Sequence, residues 1–198
     1  MSVSTTLQPT LAAALWPRPA GASAVRPVAL AVLGSLFVAL SAQVQVPLEP
    51  VPITMQTFAV LVLGMAYGWR LGAAALALYT AEGGIGLPVF AGLTGGPAVL
   101  FGPTGGYIFG FVAAAAAVGW LAERGWDRDV VRTALAMLVG NALIYVPGLA
   151  VLSGYVGGFD QAVKLGLAPF LVGDALKLAL AAGLLPLAWR LVGRGRGA

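Results

Sequence analysis

Neither cysteine nor histidine occurs in the chain. Without cysteine there is no disulfide, no thiolate nucleophile and no sulfur ligand for a metal. Without histidine the commonest metal ligand and the usual general base near neutral pH are gone as well. Charge is scarce: 9% of the 198 residues are Asp, Glu, Lys or Arg, against about 25% in ordinary soluble domains. So few charges cannot cover the surface of a soluble fold. Catalytic signatures are missing too. No G-x-x-x-x-G-K-[ST] phosphate loop, no G-x-S-x-G elbow and no H-E-x-x-H helix is present. The chain is therefore expected to be no enzyme, to hydrolyse no ATP by the P-loop route, and to need no cofactor or metal.

What is there is apolar, 60% of all residues. Six apolar runs cover residues 27–46, 52–67, 71–80, 104–122, 131–152 and 165–192. A membrane crossing takes about 20 residues, so the expected fold is all-α: a polytopic membrane bundle of six transmembrane helices. Pro27 and Pro52 stand at first turns, where a missing N–H costs nothing. The second and third runs are short and are expected to tilt or to break near Gly64 and Gly72. Pro169 and Pro186 lie near the two ends of the sixth run, where its outer turn can bend. The domain reading is a tail over 1–26, the membrane domain over 27–192 and a second tail over 193–198. Within the first tail, the apolar stretch 11–16 precedes Arg18 and Arg26, the reverse of a cleaved signal peptide. It reads either as disordered or as a short interfacial helix anchored by Trp16.

Orientation follows from the cations. Alternating sides along six crossings puts Arg18, Arg26, Arg70, Arg124, Arg128, Arg132, Arg190, Arg194 and Arg196 on one side. Lys164 stands alone on the other, and Lys177 lies inside the sixth run. Such asymmetry marks the cytoplasmic side. Both termini are thus expected in the cytoplasm, with 81–103 and 153–164 facing outward. The basic balance belongs to the lipid bilayer and to topology, not to nucleic acid.

Two features suggest a site. Asp174 and Lys177 are three residues apart inside the sixth run, hence on one helix face. Ionised groups at that depth are costly and usually face a bundle interior or a cavity. They form either an internal ion pair or a polar ligand site, with Lys177 holding a carboxylate and Asp174 accepting N–H donors. The second feature is the segment 81–103, rich in glycine yet carrying Leu87, Val89, Phe90, Leu93, Val99, Leu100 and Phe101. A solvated loop would be more polar. It is expected to fold back over the bundle mouth as a lid. Gln56, Thr57, Tyr107, Asn141 and Tyr145 offer polar groups for one cavity near Asp174, or hydrogen bonds between helices. Ala31, Ser35 and Ala39 form a stripe of small residues, for internal packing or for a partner.

Four motifs in order carry a resemblance: Pro50-Val51-Pro52-Ile53-Thr54-Met55-Gln56-Thr57, Gly86-Leu87-Pro88-Val89-Phe90-Ala91-Gly92, Gly102-Pro103-Thr104-Gly105-Gly106-Tyr107 and Gly173-Asp174-Ala175-Leu176-Lys177. Over about residues 28–192 the chain resembles the BioY family, the biotin-binding S components of energy-coupling factor transporters. The resemblance implies six helices, cytoplasmic termini, a place in the cytoplasmic (inner) membrane and capture of external biotin as transported ligand. It implies that Asp174 and Lys177 are the polar pair of the last helix, one at the ureido ring and one at the carboxylate, with Phe90, Tyr107, Gln56, Asn141 and Tyr145 around them. Some members carry polar ligands after the Pro88 position. Here Phe90 to Gly96 includes no arginine or asparagine, which puts more weight on Lys177. The implied partners are a transmembrane coupling protein, against which Ala31, Ser35 and Ala39 would pack, and two ABC-type ATPase subunits. Transport without that module, alone or as a homo-oligomer, is the alternative.

Overall fold

The computed structural model describes residues 7–17 and 24–194. Nine α-helices are found among them: α1 (Leu11–Leu15), α2 (Val25–Gln43), α3 (Gln56–Tyr67), α4 (Trp69–Gly84), α5 (Pro97–Leu100), α6 (Gly105–Ala122), α7 (Val130–Ser153), α8 (Phe159–Gly166) and α9 (Leu171–Arg194). Six of these occupy the places of the six apolar runs. Four segments are long and apolar enough to cross a membrane: Val25–Gln43, Gly105–Ala122, Val130–Ser153 and Phe159–Gly193. Helix α3, with 12 residues, spans about 18 Å at 1.5 Å per residue, well short of a hydrocarbon core about 30 Å thick.

Local chemistry moves several boundaries. The second helix does not begin at Pro52. Pro50 and Pro52 disfavour helical backbone at the residues before them. The chain instead forms a small antiparallel ladder, Gln45–Val46 (β1) against Ile53–Thr54 (β2). Helix α3 starts only at Gln56, whose N–H bonds the Thr54 hydroxyl at 3.2 Å. The sixth run is likewise divided. Pro169 cannot donate a ladder hydrogen bond, and a 3-10 turn at Ala168–Phe170 separates α8 from α9. Pro186, by contrast, sits within a continuous α9. At the start of α7 the Asp129 carboxylate accepts the Arg132 N–H at 3.0 Å, an ordinary cap.

Gly64 and Gly72 break nothing. They let backbones touch. A Cβ on Gly64 would stand 2.7 Å from the Ala115 carbonyl oxygen of α6, and one on Gly72 would stand 3.0 Å from the Gly64 Cα. Helix α6 therefore lies at the centre, packed against α3, α4 and α7, while α2 lies on α4 and α9 on α7 and α3. The buried core runs through Leu61, Met65, Leu76, Met137, Ile144 and Leu185.

Helix α9 has its polarity inside out. Leu176, Leu180, Leu184, Leu187 and Leu191 are exposed, whereas Asp174 and Lys177 are buried. That arrangement suits hydrocarbon around the bundle and polar groups within it. One end of the bundle gathers the arginines and tryptophans. Guanidinium groups lie over indole rings at 5.9 Å (Arg26, Trp16), 5.0 Å (Arg70, Trp69), 3.4 Å (Arg124, Trp120) and 4.2 Å (Arg128, Trp189). Tryptophan and arginine together mark a membrane–water boundary. Of the two readings of residues 11–16, the structure has the short helix: α1 packs on α3 and α9, with Leu11 and Ala14 buried and Trp16 exposed.

Candidate ligand site

At the end opposite the arginines, the β1–β2 ladder, the segment 85–104 and the ends of α3, α6, α7 and α9 enclose a cavity of about 340 Å³. That is the scale of a small-molecule pocket. Its walls are mostly apolar: Val51, Phe90, Val99, Ile108, Phe111 and Phe170. Polar groups reach it from Thr54, Gln56, Thr57, Thr94, Thr104, Tyr107 and Tyr145, and Lys177 is the one charged residue in the lining.

The base of the cavity is a four-residue cluster. Lys177 Nζ lies 3.1 Å from Asp174 Oδ1 and 2.9 Å from Thr57 Oγ1. Thr57 Oγ1 also lies 3.4 Å from Asp174 Oδ1, and the Tyr145 hydroxyl donates to Oδ2. Asp174 thus stands behind Lys177, held from three directions, and does not itself line the cavity. The cluster is neutral as a whole, because one carboxylate offsets one ammonium. Tyr107, Tyr145 and Phe170 stack edge to face at 6.1 and 6.4 Å, and the Tyr107 hydroxyl donates to the Gly166 carbonyl at 3.0 Å. These contacts fix the aromatic wall.

The glycine-rich segment forms the opposite wall and is tied down. The Phe90 ring fills the notch over Gly83, where a Cβ would stand 2.0 Å from it, and meets Tyr79 edge to face at 5.4 Å. Gln43 donates to the Phe90 carbonyl at 3.0 Å and accepts the Leu93 N–H at 3.1 Å. That clamp holds a turn in which Gly92 and Leu93 have φ of 70° and 56°. Gln56 Nε2 donates to the Tyr79 hydroxyl at 2.7 Å, which donates in turn to the Val89 carbonyl at 3.1 Å.

Lys177, Phe90, Tyr107, Gln56 and Tyr145 accordingly meet at one cavity, with Asp174 one shell behind. Asn141 does not join them. It lies one helical turn from Tyr145 toward the arginine end, half-buried, with its Oδ1 unpartnered. The small-residue stripe lies largely inside the bundle. Ser35 is buried and its hydroxyl donates to Glu82 of α4, Ala39 is buried, and half-buried Ala31 packs on the core. Packing inside the chain accounts for Ser35 and Ala39, while Ala31 stays partly exposed. Sequence reasoning missed Gln43, Thr54, Tyr79 and Phe170. The strongest available signal was a tyrosine, Tyr79, closing the apolar stretch 71–79 of α4.

Comparison with known proteins identifies the family. The chain is 40% identical over 147 residues to "Biotin transporter BioY" of Thermotoga maritima, covering 74% of this chain and 85% of that protein. It is 42% identical over 152 residues to "Probable biotin transporter BioY" of Pyrococcus horikoshii, covering 75% and 89%. Among solved structures, the S-component for biotin from an ECF-type ABC transporter superposes with a TM-score of 0.72 at 22% identity, covering 84% of this chain and 92% of that one. A model of the BioY family matches residues 9–194, and the chain belongs to that family.

Proposed function

We propose that this chain is the biotin-capturing S component of an energy-coupling factor transporter. It crosses the cytoplasmic membrane six times with both termini inside, and ATPase subunits drive it through a transmembrane coupling protein. The observation that carries the ligand assignment is the neutral Lys177–Asp174–Thr57–Tyr145 cluster at the base of a small apolar cavity. A cyclic urea is itself neutral and has one acceptor between two donors. Its carbonyl can take the Lys177 ammonium while its N–H groups go to the Thr57 and Tyr145 oxygens that Asp174 holds from behind. A carboxylate would instead bring a net negative charge to a cluster whose cation is already paired. The charge balance therefore favours the ureido ring at the base, with the acid end of biotin toward the mouth near Thr94 and Thr104.

Calorimetric titration of the purified, detergent-solubilised protein tests this. Biotin and biotin amide are expected to bind comparably. Lipoic acid, which keeps the pentanoate and lacks the urea, is expected to show no heat. Binding of lipoic acid together with loss of biotin amide would put the carboxylate on Lys177 and sink the assignment. Absence of biotin binding would sink the function. Uptake in cells expressing the chain without any coupling module would move the reading to a self-sufficient transporter.

The topology has its own test. The chain has no cysteine, so single cysteines label against no background. Asp160→Cys, at the cavity end, is expected to react with an impermeant maleimide in intact cells. Arg132→Cys, at the arginine end, is expected to react only after lysis. The reverse pattern would invert the orientation.

A further inference from the structure

A second cavity of about 600 Å³ opens at the arginine end, lined by α1, the first turn of α2, the end of α3 and the start of α4. It belongs to no part of the biotin site, which lies at the other end of the bundle. Three polar groups in its lining have spare capacity. Arg26 gives one N–H to the Ala12 carbonyl at 2.9 Å, but its Nε is buried with no acceptor among the described residues. Arg70 is exposed; among the described residues its guanidinium lies over the Trp69 ring and makes no hydrogen bond or ion pair. Tyr67 also lines the cavity, and its hydroxyl makes no hydrogen bond among the described residues. The one carboxylate of the lining, Glu123, has its Oε1 turned to the Trp69 N–H at 3.2 Å. That leaves two guanidinium groups and a phenol around the space, against a single carboxylate.

A buried guanidinium N–H with no acceptor costs free energy until something fills it. The chemistry that fits two arginines and a hydroxyl is a tetrahedral oxyanion, since planar guanidinium forks match phosphate oxygens. The surroundings select the source. Trp16 and Trp69 flank the two arginines, and exposed Leu33, Phe37 and Leu40 follow on the same face of α2 as Arg26. This is an apolar track leading from a basic, tryptophan-edged pocket, suited to an acyl chain below a headgroup. We propose that this cavity binds the phosphate of an anionic phospholipid headgroup, with Arg26 and Arg70 as the phosphate ligands and Tyr67 as a further donor. The site joins α1 to α2 and α4, so an occupying lipid would pin the amino-terminal helix to the bundle. The inference rests on placing this end at the membrane boundary and is independent of which ligand the other cavity takes.

The test is native mass spectrometry of the full chain released from nanodiscs of phosphatidylcholine with or without phosphatidylglycerol, alongside thermal melting in the same lipids. Wild type is expected to retain phosphatidylglycerol in preference to phosphatidylcholine and to melt higher with it. Arg26→Gln with Arg70→Gln is expected to weaken that retention by roughly fivefold per arginine, the effect of one basic side chain at an anionic surface. Arg190→Gln, an exposed arginine at the same end outside the cavity, is expected to change it little. Stabilisation by millimolar inorganic phosphate, with no lipid preference, would assign the same oxyanion chemistry to a soluble source and overturn the lipid assignment. Equal retention by wild type and the double variant would overturn the site. Should the double variant fail to fold, Arg70→Gln alone decides, because Arg70 is exposed and holds nothing in place. Biotin titration of each variant separates a failure here from a failure at the opposite cavity.

Discussion

Lys177→Met is expected to lose biotin binding by about 2–5 kcal/mol, the scale for truncating one side of a buried charged contact. That corresponds to a roughly thirtyfold to several-thousandfold weaker Kd. Methionine keeps most of the apolar stem, so the loss reports the ammonium rather than the packing. Two effects act together. The ligand loses its one cationic donor, since Lys177 is the only charged residue lining the cavity. Asp174 is left as an unpaired carboxylate beside it, although Thr57 and Tyr145 still donate to it. Stranding a buried charge can unfold a protein, at a cost of about 3–5 kcal/mol. The double variant Lys177→Met with Asp174→Asn removes that difficulty, because the cluster becomes neutral again. It is expected to melt closer to wild type than the single variant does and still to bind no biotin. Recovery of binding in the double variant would show that the pair serves the fold alone. Titration and melting of the two variants therefore separate the ligand role from the structural one.

How much of this was legible beforehand depends on how local the signal is. Asp174 and Lys177 stood out because an ion pair inside an apolar run has few explanations, and their shared face follows from helical spacing. The arginine asymmetry was equally plain, and all the described arginines belong to segments at one end of the bundle. What failed to show were properties of contact between distant segments. Gln43 reads as an ordinary helix-end residue, yet it clamps backbone 47 and 50 positions further on. Asn141 shares a helix face with Tyr145, so spacing grouped them, but the cavity ends one turn above it. Ala31, Ser35 and Ala39 make the same stripe whether they meet a partner or another helix of the chain. The part-buried Ser35–Glu82 hydrogen bond between α2 and α4 is a contact that spacing could not reveal. The prolines were misread for a simpler reason. Pro52 is compatible with a first turn, but Pro50 two residues earlier favours extended backbone, and the β1–β2 ladder follows that second preference.

Gly106→Ala is expected to destabilise the bundle by about 1–3 kcal/mol, the usual cost of forcing extra atoms into a filled interface. The reason is backbone contact. A Cβ at Gly106 would stand 2.3 Å from the Pro147 carbonyl oxygen and 2.8 Å from the Pro147 carbonyl carbon. Neither atom can rotate away as a flexible side chain would. Gly110, one turn further along α6, presses on Leu143 and Ile144 in the same way, with backbone atoms at 2.9 Å from its would-be Cβ. The two glycines hold α6 against α7 across the stretch where Pro147 interrupts the α7 hydrogen-bond ladder. Tyr107 and Tyr145 stand on these same two helices, so a shift there would also loosen the aromatic wall of the cavity. Gly183→Ala supplies the matched control. Gly183 lies inside α9 with nothing within 4 Å of its would-be Cβ. Alanine there adds only helix propensity, about 0.5–1 kcal/mol over glycine in an exposed helix interior. Melting in detergent is expected to place Gly106→Ala below wild type and Gly183→Ala at or above it. Biotin affinity is expected to fall only in the first. Equal melting temperatures for the two variants would mean that α6 and α7 can part without cost, and that Gly106 is not what lets them meet.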